Sequence, residues 1–256
     1  MVNILFIGDI VGKPGRAALS RVLAGLIEEH SVQLCVGNAE NAAGGFGLTP
    51  ETANDLFKLG IHVLTSGNHI FDKREIIKHL DTDSRILRPA NYPAETPGTG
   101  SYLFQTNSGV AIGVLNLLGR VFIDSIDCPF KRADEEIERL REETSVIFVD
   151  MHAEVTSEKV AMGRYLDGRV SAVVGSHTHI QTADEEILPS GTAYLTDAGM
   201  TGPTDSVIGV KTEMAISRFR TRLPKRFETA TGEAQFNGAI VAVDQESGKA
   251  ESIRRI

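Results

Sequence analysis

Six residues of types that bind metals each stand just after a short apolar run: Asp9, Glu40, Asn68, His152, His177 and His179. Two carboxylates, an amide and three imidazoles make a mixed oxygen and nitrogen donor set. Such a set suits divalent Mn, Fe or Zn better than Ca or Mg. In His177-Thr178-His179 the two imidazoles are spaced i, i+2. Alternate residues of an extended segment point the same way, so both rings can face one cluster. Glu40 lies between Asn38 and Asn41 in Gly-Asn-Ala-Glu-Asn-Ala-Ala-Gly-Gly, residues 37–45. Without Cβ atoms nearby, the backbone there can approach a cluster and adopt positive φ. Two ions about 3.5–4 Å apart need a bridging ligand, and Glu40 is the expected bridge. Singly, each residue has a plainer reading. Asp9 is a good helix N-cap, Glu40 a solvated loop acid, Gly67-Asn68-His69 a turn, and His152 a core or surface histidine. The set as a whole favours a metal site.

The elements that must position these residues alternate between strand and helix. Asn3 to Gly8, Val32 to Val36, His62 to Ser66, Val146 to Asp150 and Val170 to Gly175 read as buried strands. Between them run helical patterns. Leu19, Val22, Leu23, Leu26 and Ile27 share one helical face, and Thr49-Pro50-Glu51 has the N-cap, N1 proline and first-turn acid of a helix ending near Gly60. A short helix follows over KREIIKHL. Ser101 to Thr106 and Val110 to Leu118 flank Asn107-Ser108-Gly109 as a β-hairpin. A charged helix follows over FKRADEEIERLREE, with another around Glu158 to Leu166 and a strand over Thr192 to Asp197. Glu213 to Phe219 and Phe236 to Asp244 read as strand-like. The ligands follow the carboxyl ends of strands, where open α/β sheets form their sites. One domain over residues 1–256, with mixed sheets and helices on their faces, is the expected architecture.

Composition narrows the partners. The chain has 256 residues, 41% of them hydrophobic, enough for a substantial core. The net charge of −8 argues against broad nucleic-acid binding or an anionic membrane surface, while still admitting a small phosphate ester beside bound cations. No apolar run approaches the roughly 18 residues of a membrane span. MVNILFIGDIVG lacks the basic start and cleavage site of a signal peptide, so a cytoplasmic protein is expected. Two cysteines, Cys35 and Cys128, make no disulfide scaffold, and Cys35 reads as a small buried hydrophobe.

In order along the chain, Gly8-Asp9, Glu40, Gly67-Asn68-His69, His152 and Ser176-His177-Thr178-His179 resemble the motifs of the calcineurin-like metallophosphoesterases. Three departures stand out. Asp9-Ile10-Val11 replaces Asp-x-His, Glu40 replaces a bridging Asp, and Ile70 follows Gly-Asn-His where an acid is usual. The first two, with GDIVGKPGR, GNAENAAGG and DAGMTGP, are similar to the YmdB-type branch. The resemblance implies an α/β fold, a four-layer αββα sandwich of two mixed sheets flanked by helices. It also implies that Asn41 takes the place of the lost histidine. One ion would then take Asp9, Glu40, Asn41 and His179, the other Glu40, Asn68, His152 and His177. The branch implies phosphodiesterase activity, including on cyclic nucleotides, and homo-oligomers.

The expected activity is hydrolysis of a small phosphodiester at two divalent or mixed-valence ions, Fe or Mn before Zn. His69 follows a ligand directly and is the expected general acid, with a hydrogen bond to a ligand as its other reading. A non-catalytic regulator sensing a phosphorylated ligand at the same site is the alternative. A P-loop reading of Gly8 to Pro14 fails, because Pro14 stands where Ser or Thr should hold Mg²⁺. A structural zinc site fails, because neither cysteine adjoins a ligand. Lys211, Arg218, Arg220, Arg222, Lys225 and Arg226 make residues 202–232 basic. They are read as shaping substrate access or a subunit contact, or as a solvated face.

Overall fold

The computed structural model describes every residue except Lys225, which leaves that member of the basic segment outside the described residues. The chain opens with β1 (Val2–Ile7), β2 (Asp9–Ile10), α1 (Gly12–Glu29), β3 (Leu34–Asn38), α2 (Pro50–Lys58), β4 (Val63–Thr65) and α3 (Arg74–Leu80). The hairpin of β5 (Ser101–Gln105) and β6 (Ala111–Leu118) leads to α4 (Pro129–Arg141), β7 (Ile147–His152), α5 (Thr156–Tyr165) and β8 (Ala172–Ser176). The remainder forms β9 (Glu186–Ile187), β10 (Ala193–Leu195), β11 (Met200–Pro203), α6 (Thr212–Thr221), β12 (Ala234–Gln235), β13 (Gly238–Val243) and β14 (Ala250–Arg255).

Two mixed sheets stack face to face. One has the order β14-β13-β1-β3-β4, the other β5-β6-β7-β8-β10-β9. Strand alternation sets the layers. In β1, Ile4 and Phe6 join the core between the sheets, where the Phe6 and Phe148 rings lie 5.2 Å apart, while Leu5 and Ile7 join the core under α1 and α2. A matching outer core packs Ala133, Ile137 and Met162 of α4 and α5 against Leu115, Ile147 and Val149. A one-residue slip of β1 would exchange its two faces, so both cores fix its register. These layers are the expected αββα sandwich. β1, β3 and β4 are parallel, as are β6, β7, β8 and β10, so their carboxyl ends gather along one edge of each sheet.

Several local expectations hold. The Thr49 hydroxyl accepts from Thr52 N (3.2 Å) at the start of α2, and β5 pairs with β6 in antiparallel register. Cys35 is buried and forms no disulfide. Three differ. Glu213 to Phe219 is not a strand but part of α6, which buries only Ala215. Val22 does not share the buried face of Leu19 and Leu23 and is 36% exposed. A third small sheet, β12-β11-β2, was not anticipated. In the basic segment, Lys211 pairs with Glu228 (2.5 Å), and Arg220, Arg222 and Arg226 are exposed. Among the described residues, no helix is long and apolar enough to cross a membrane.

Candidate metal centre

Five chain segments meet where the carboxyl edges of the two large sheets join. β2 carries Asp9, the turn after β3 carries Glu40 and Asn41, and the turn after β4 carries Asn68 and His69. His152 ends β7, and His177 and His179 follow β8. Asp9 does not cap α1, whose N-cap is Val11. It is fully buried, and its Oδ2 accepts from His177 N (3.0 Å). Glu40 is 1% exposed and no solvated loop acid. Its Oε1 lies 3.0 Å from His152 Nε2, and its Oε2 accepts from His69 N (2.9 Å). His177 Nδ1 lies 2.9 Å from His152 Nε2, so donor atoms of Glu40, His152 and His177 all fall within 4.8 Å of one another. Asn41 Nδ2 approaches both Glu40 Oε1 (3.3 Å) and His179 Nε2 (3.2 Å). A half-turn of that amide presents its oxygen instead.

The segment after β8 reaches the cluster by a different route from the one expected. His177 and His179 are not extended; their φ values are +96° and +67°. Left-handed backbone at non-glycine residues costs of order 1–3 kcal/mol each and persists only where the surroundings impose it. Here Asp197 imposes it. Its Oδ2 accepts from both the N–H (3.1 Å) and the hydroxyl (2.7 Å) of Thr178, between the two histidines. Lys159 Nζ donates to the same oxygen at 2.6 Å, and neither Lys159 nor Asp197 is exposed. Gly44 and Gly45 do adopt positive φ as expected, and so does Gly47 just beyond the stretch. The close approach to the cluster belongs instead to Gly67, where a Cβ would strike the His152 ring and stand 2.6 Å from Glu40 Oε2.

Each imidazole is held from behind, which fixes the nitrogen it offers. Ser176 Oγ donates to Asp150 Oδ1 (2.6 Å) and so accepts from His152 Nδ1 (2.9 Å), leaving Nε2 for the cluster. Asp150 also accepts from Thr65 Oγ1 (2.5 Å) and Asn38 Nδ2 (3.2 Å), joining the two sheets; burial raises its carboxyl to about 6. His177 Nε2 faces Glu154 Oε2 (3.1 Å), and His179 Nδ1 donates to the Ile208 carbonyl (2.8 Å). His69 Nδ1 meets Asp72 Oδ2 (2.9 Å). Sequence reasoning missed Asp72, Asp150, Glu154, Ile208 and the Lys159–Asp197 pair. Two carried a signal: Asp150, closing an apolar strand two residues before His152, and Asp197, opening DAGMTGP.

The charges are arranged for cations. Burial opposes ionisation of Glu40, but the adjacent His152 holds its carboxyl down at about 2. Burial likewise opposes the charged form of Asp9, and neighbouring His179 and His152 outweigh it, keeping the carboxyl well below the usual range. Burial and the charge on His152 push His177 down to about 3, so it stays neutral. Two acceptors complete the picture. Asp9 Oδ1 and Asn68 Oδ1 are buried and meet no hydrogen-bond donor among the described residues. His179 Nε2 is 3.6 Å from Asp9 Oδ1, too far for a hydrogen bond. Buried oxygens without donors are costly unless something else satisfies them, and a cation does so. The donor set, the two orphaned oxygens and the Gly67 cradle therefore fit divalent metal ions.

A cavity of about 270 Å³ opens beside the cluster, lined at this end by Asn41, His69, Glu154, His177 and His179. The assembly of carboxylates and imidazoles against an open cavity suits an ester hydrolase. Comparison with known proteins agrees. A 2',3'-cyclic-nucleotide 2'-phosphodiesterase of Bacillus subtilis (strain 168) is 47% identical over 255 residues, covering 100% of this chain and 96% of that protein. A solved structure of a hypothetical protein from Thermus thermophilus superposes with a TM-score of 0.93 at 38% identity, covering 100% of this chain and 98% of that one. A structure described as a novel phosphatase of Mycoplasma pneumoniae also gives a TM-score of 0.93, at 34% identity over 100% of this chain and 92% of that one. The model of the family described as YmdB-like protein matches residues 5–256, and the chain belongs to that family of metallophosphoesterases.

Proposed function

We propose that the chain is a phosphodiesterase acting on small phosphodiesters, 2',3'-cyclic nucleotides in particular, at a dinuclear metal centre within one domain. Asp9, Glu40, Asn41 and His179 would hold one ion, and Glu40, Asn68, His152 and His177 the other. The observation that supports the reading is the gathering of Glu40, His152 and His177 donor atoms within 4.8 Å of one another, with two buried oxygens without donors, Asp9 Oδ1 and Asn68 Oδ1, on the same edge. Iron or manganese, before zinc, suits this donor set. A cytoplasmic setting and assembly into homo-oligomers belong to the same reading. The activity named for the 47% identical relative supports the substrate class.

Bound there, two ions would acidify a water and neutralise the phosphoryl oxygens during in-line displacement. The chain's own residues do the rest. Ser176, Glu154 and Ile208 orient the three imidazoles, so the ligand atoms need no rearrangement as charge develops. His69 lines the cavity with Nδ1 held by Asp72, leaving Nε2 to exchange a proton with the substrate. It protonates the leaving oxygen, a contribution of about 10²–10⁴-fold.

Elemental analysis combined with turnover of 2',3'-cyclic AMP and bis-p-nitrophenyl phosphate tests the reading. The wild-type protein should carry two ions per chain and hydrolyse both diesters. Glu40→Gln should lose metal and activity together, because a neutral amide bridges poorly. Two ions and full activity in that variant would remove Glu40 as the bridge. Metal-loaded wild type that binds a diester without hydrolysing any would instead be a ligand sensor.

A further inference from the structure

The cavity has a second end that the metal centre does not explain. Away from the histidines its lining is apolar and aromatic: Val11, Phe46, Ile208, Val210 and Phe227. Its outer wall comes from residues 207–210, packed back against residues 227–230. Val210 bridges to Val207 and to Thr229, and Ala230 N donates to Gly209 O (2.9 Å). Thr229 Oγ1 fastens this wall to the glycine-rich loop through the Gly44 carbonyl (3.0 Å). A Cβ at Gly45 would collide with that hydroxyl, so glycine is needed there for the wall to dock. The hydrogen bond from His179 to Ile208 O ties the same wall to the metal centre.

Phe46 and Phe227 belong to none of the three apolar cores, and both are half-buried. Each ring is nonetheless held in place. Phe46 meets His69 edge-on, with centroids 5.1 Å apart, and the Arg218 guanidinium lies 5.1 Å from the centre of the Phe227 ring. A ring fixed in advance loses little freedom when a planar ligand stacks on it. The hydroxyls that line the cavity already donate their protons, Thr229 to Gly44 and Thr178 to Asp197. The apolar end therefore offers aromatic faces and apolar surface, with no uncommitted hydroxyl proton among the described lining residues to donate to the edge of a base.

We infer that this end is a base-stacking subsite: Phe46 and Phe227 hold the nucleobase of a nucleoside 2',3'-cyclic phosphate whose phosphate lies at the metal centre. The enzyme then requires a base but is indifferent to which one, because every base has a π-face. The inference rests on the phosphodiesterase reading above.

The test compares metal-loaded wild type on the 2',3'-cyclic phosphates of adenosine, guanosine, cytidine and uridine, and on 1-O-methylribose 2',3'-cyclic phosphate, which has no base. The four nucleotides should differ by only a few-fold in kcat/KM. The base-free compound should be worse by roughly ten- to hundredfold, mainly through KM, the range expected of one aromatic stack. Phe227→Leu and Phe46→Leu should shrink that ratio, and Phe227→Tyr should restore it. Titration with adenosine 3'-phosphate against ribose 3-phosphate should show the same preference in binding alone. Equal kcat/KM with and without a base would overturn the stacking subsite and leave the phosphodiesterase reading standing. A strong preference for one base would also overturn it. No turnover of any of the five compounds by fully metal-loaded protein would bring down the underlying reading, and this inference with it.

Discussion

The two nitrogens of His152 face different partners, Ser176 through Nδ1 and Glu40 through Nε2. Burial disfavours a charge on this ring, but the charge and hydrogen bond of Glu40, with Asp9 and Asp150, overcome it and lift the ring to about 9. Before an ion binds, the ring is therefore protonated at pH 7, with its Nε2 proton where an ion must sit. Metal uptake has to release that proton. The sign follows: affinity should rise with pH, by about tenfold per unit from this ring, and level off above about 9. Calorimetric titrations at pH 6.5, 7.5 and 8.5, in buffers of different ionisation enthalpy, would measure both the affinity and the proton released. An affinity independent of pH would contradict the arrangement. His69 lies toward the cavity, with its side chain 30% exposed. His69→Ala should lower kcat by about 10²–10⁴-fold with metal content near wild type. Asp72→Asn should cost less and shift the pH profile of kcat, since it removes the carboxylate at Nδ1. Metal loss in His69→Ala would show instead that the imidazole supports the cluster, since the backbone hydrogen bond to Glu40 survives the substitution.

At the scale of elements, the segment after β8 depends on one buried ion pair. Lys159 comes from α5 and Asp197 follows β10, so two elements converge to set Thr178, and with it His177 and His179. Lys159→Met leaves Asp197 buried without its cation, which should lower stability by about 3–5 kcal/mol. Urea denaturation would read this, and metal affinity should fall in parallel. A midpoint equal to wild type would show that Thr178 and Gly199, whose N–H donates to Asp197 Oδ1 (2.8 Å), alone satisfy Asp197. Nothing in the sequence pairs residues 38 positions apart, so this support was illegible there, whereas the candidate ligands were legible. Asp9, Glu40, Asn68, His152, His177 and His179 stand out because each interrupts the end of an apolar run. The strands β1, β3, β7 and β8 were readable for the same reason, each being a run buried on both faces. β2, β11 and β12 have two to four residues, too few for any period, and form only because the chain brings them together. α6 was misread because Met214, Ile216 and Phe219 mimic a strand run, and short apolar runs are ambiguous between the two periods. The spacing Ile216, Phe219, Leu223 fits a helix, but these side chains are exposed rather than packed, so no core face marked it.

For the molecule as a whole, the centre is a seam. The core between the sheets ends where Asp150 receives hydrogen bonds from Thr65 and Asn38 of one sheet and Ser176 of the other. Asn116 closes the same edge by pairing both of its amide atoms with the backbone of Ser66 (2.9 and 3.0 Å). The proposed ligands cap this edge, with Asp9, Glu40, Asn41 and Asn68 from the side of the first sheet and His152, His177 and His179 from the second. An ion held by both sets binds the folded chain and not the unfolded one, in which those residues are far apart along the chain. Metal should therefore raise global stability, and not just local order. At free metal about a thousandfold above Kd the gain is about 4 kcal/mol. For a chain of this size, each kcal/mol moves Tm by about 2–4 °C. Chelation should thus lower Tm by about 8–16 °C, and restoring Mn²⁺ should recover it in proportion to log concentration. Glu40→Gln should melt with little dependence on added metal, separating the loss of the ions from any effect of the chelator. If protein verified as metal-free melted at the same temperature as the loaded form, the ions would not join the two sheets, and the proposed ligand sets would have to be withdrawn.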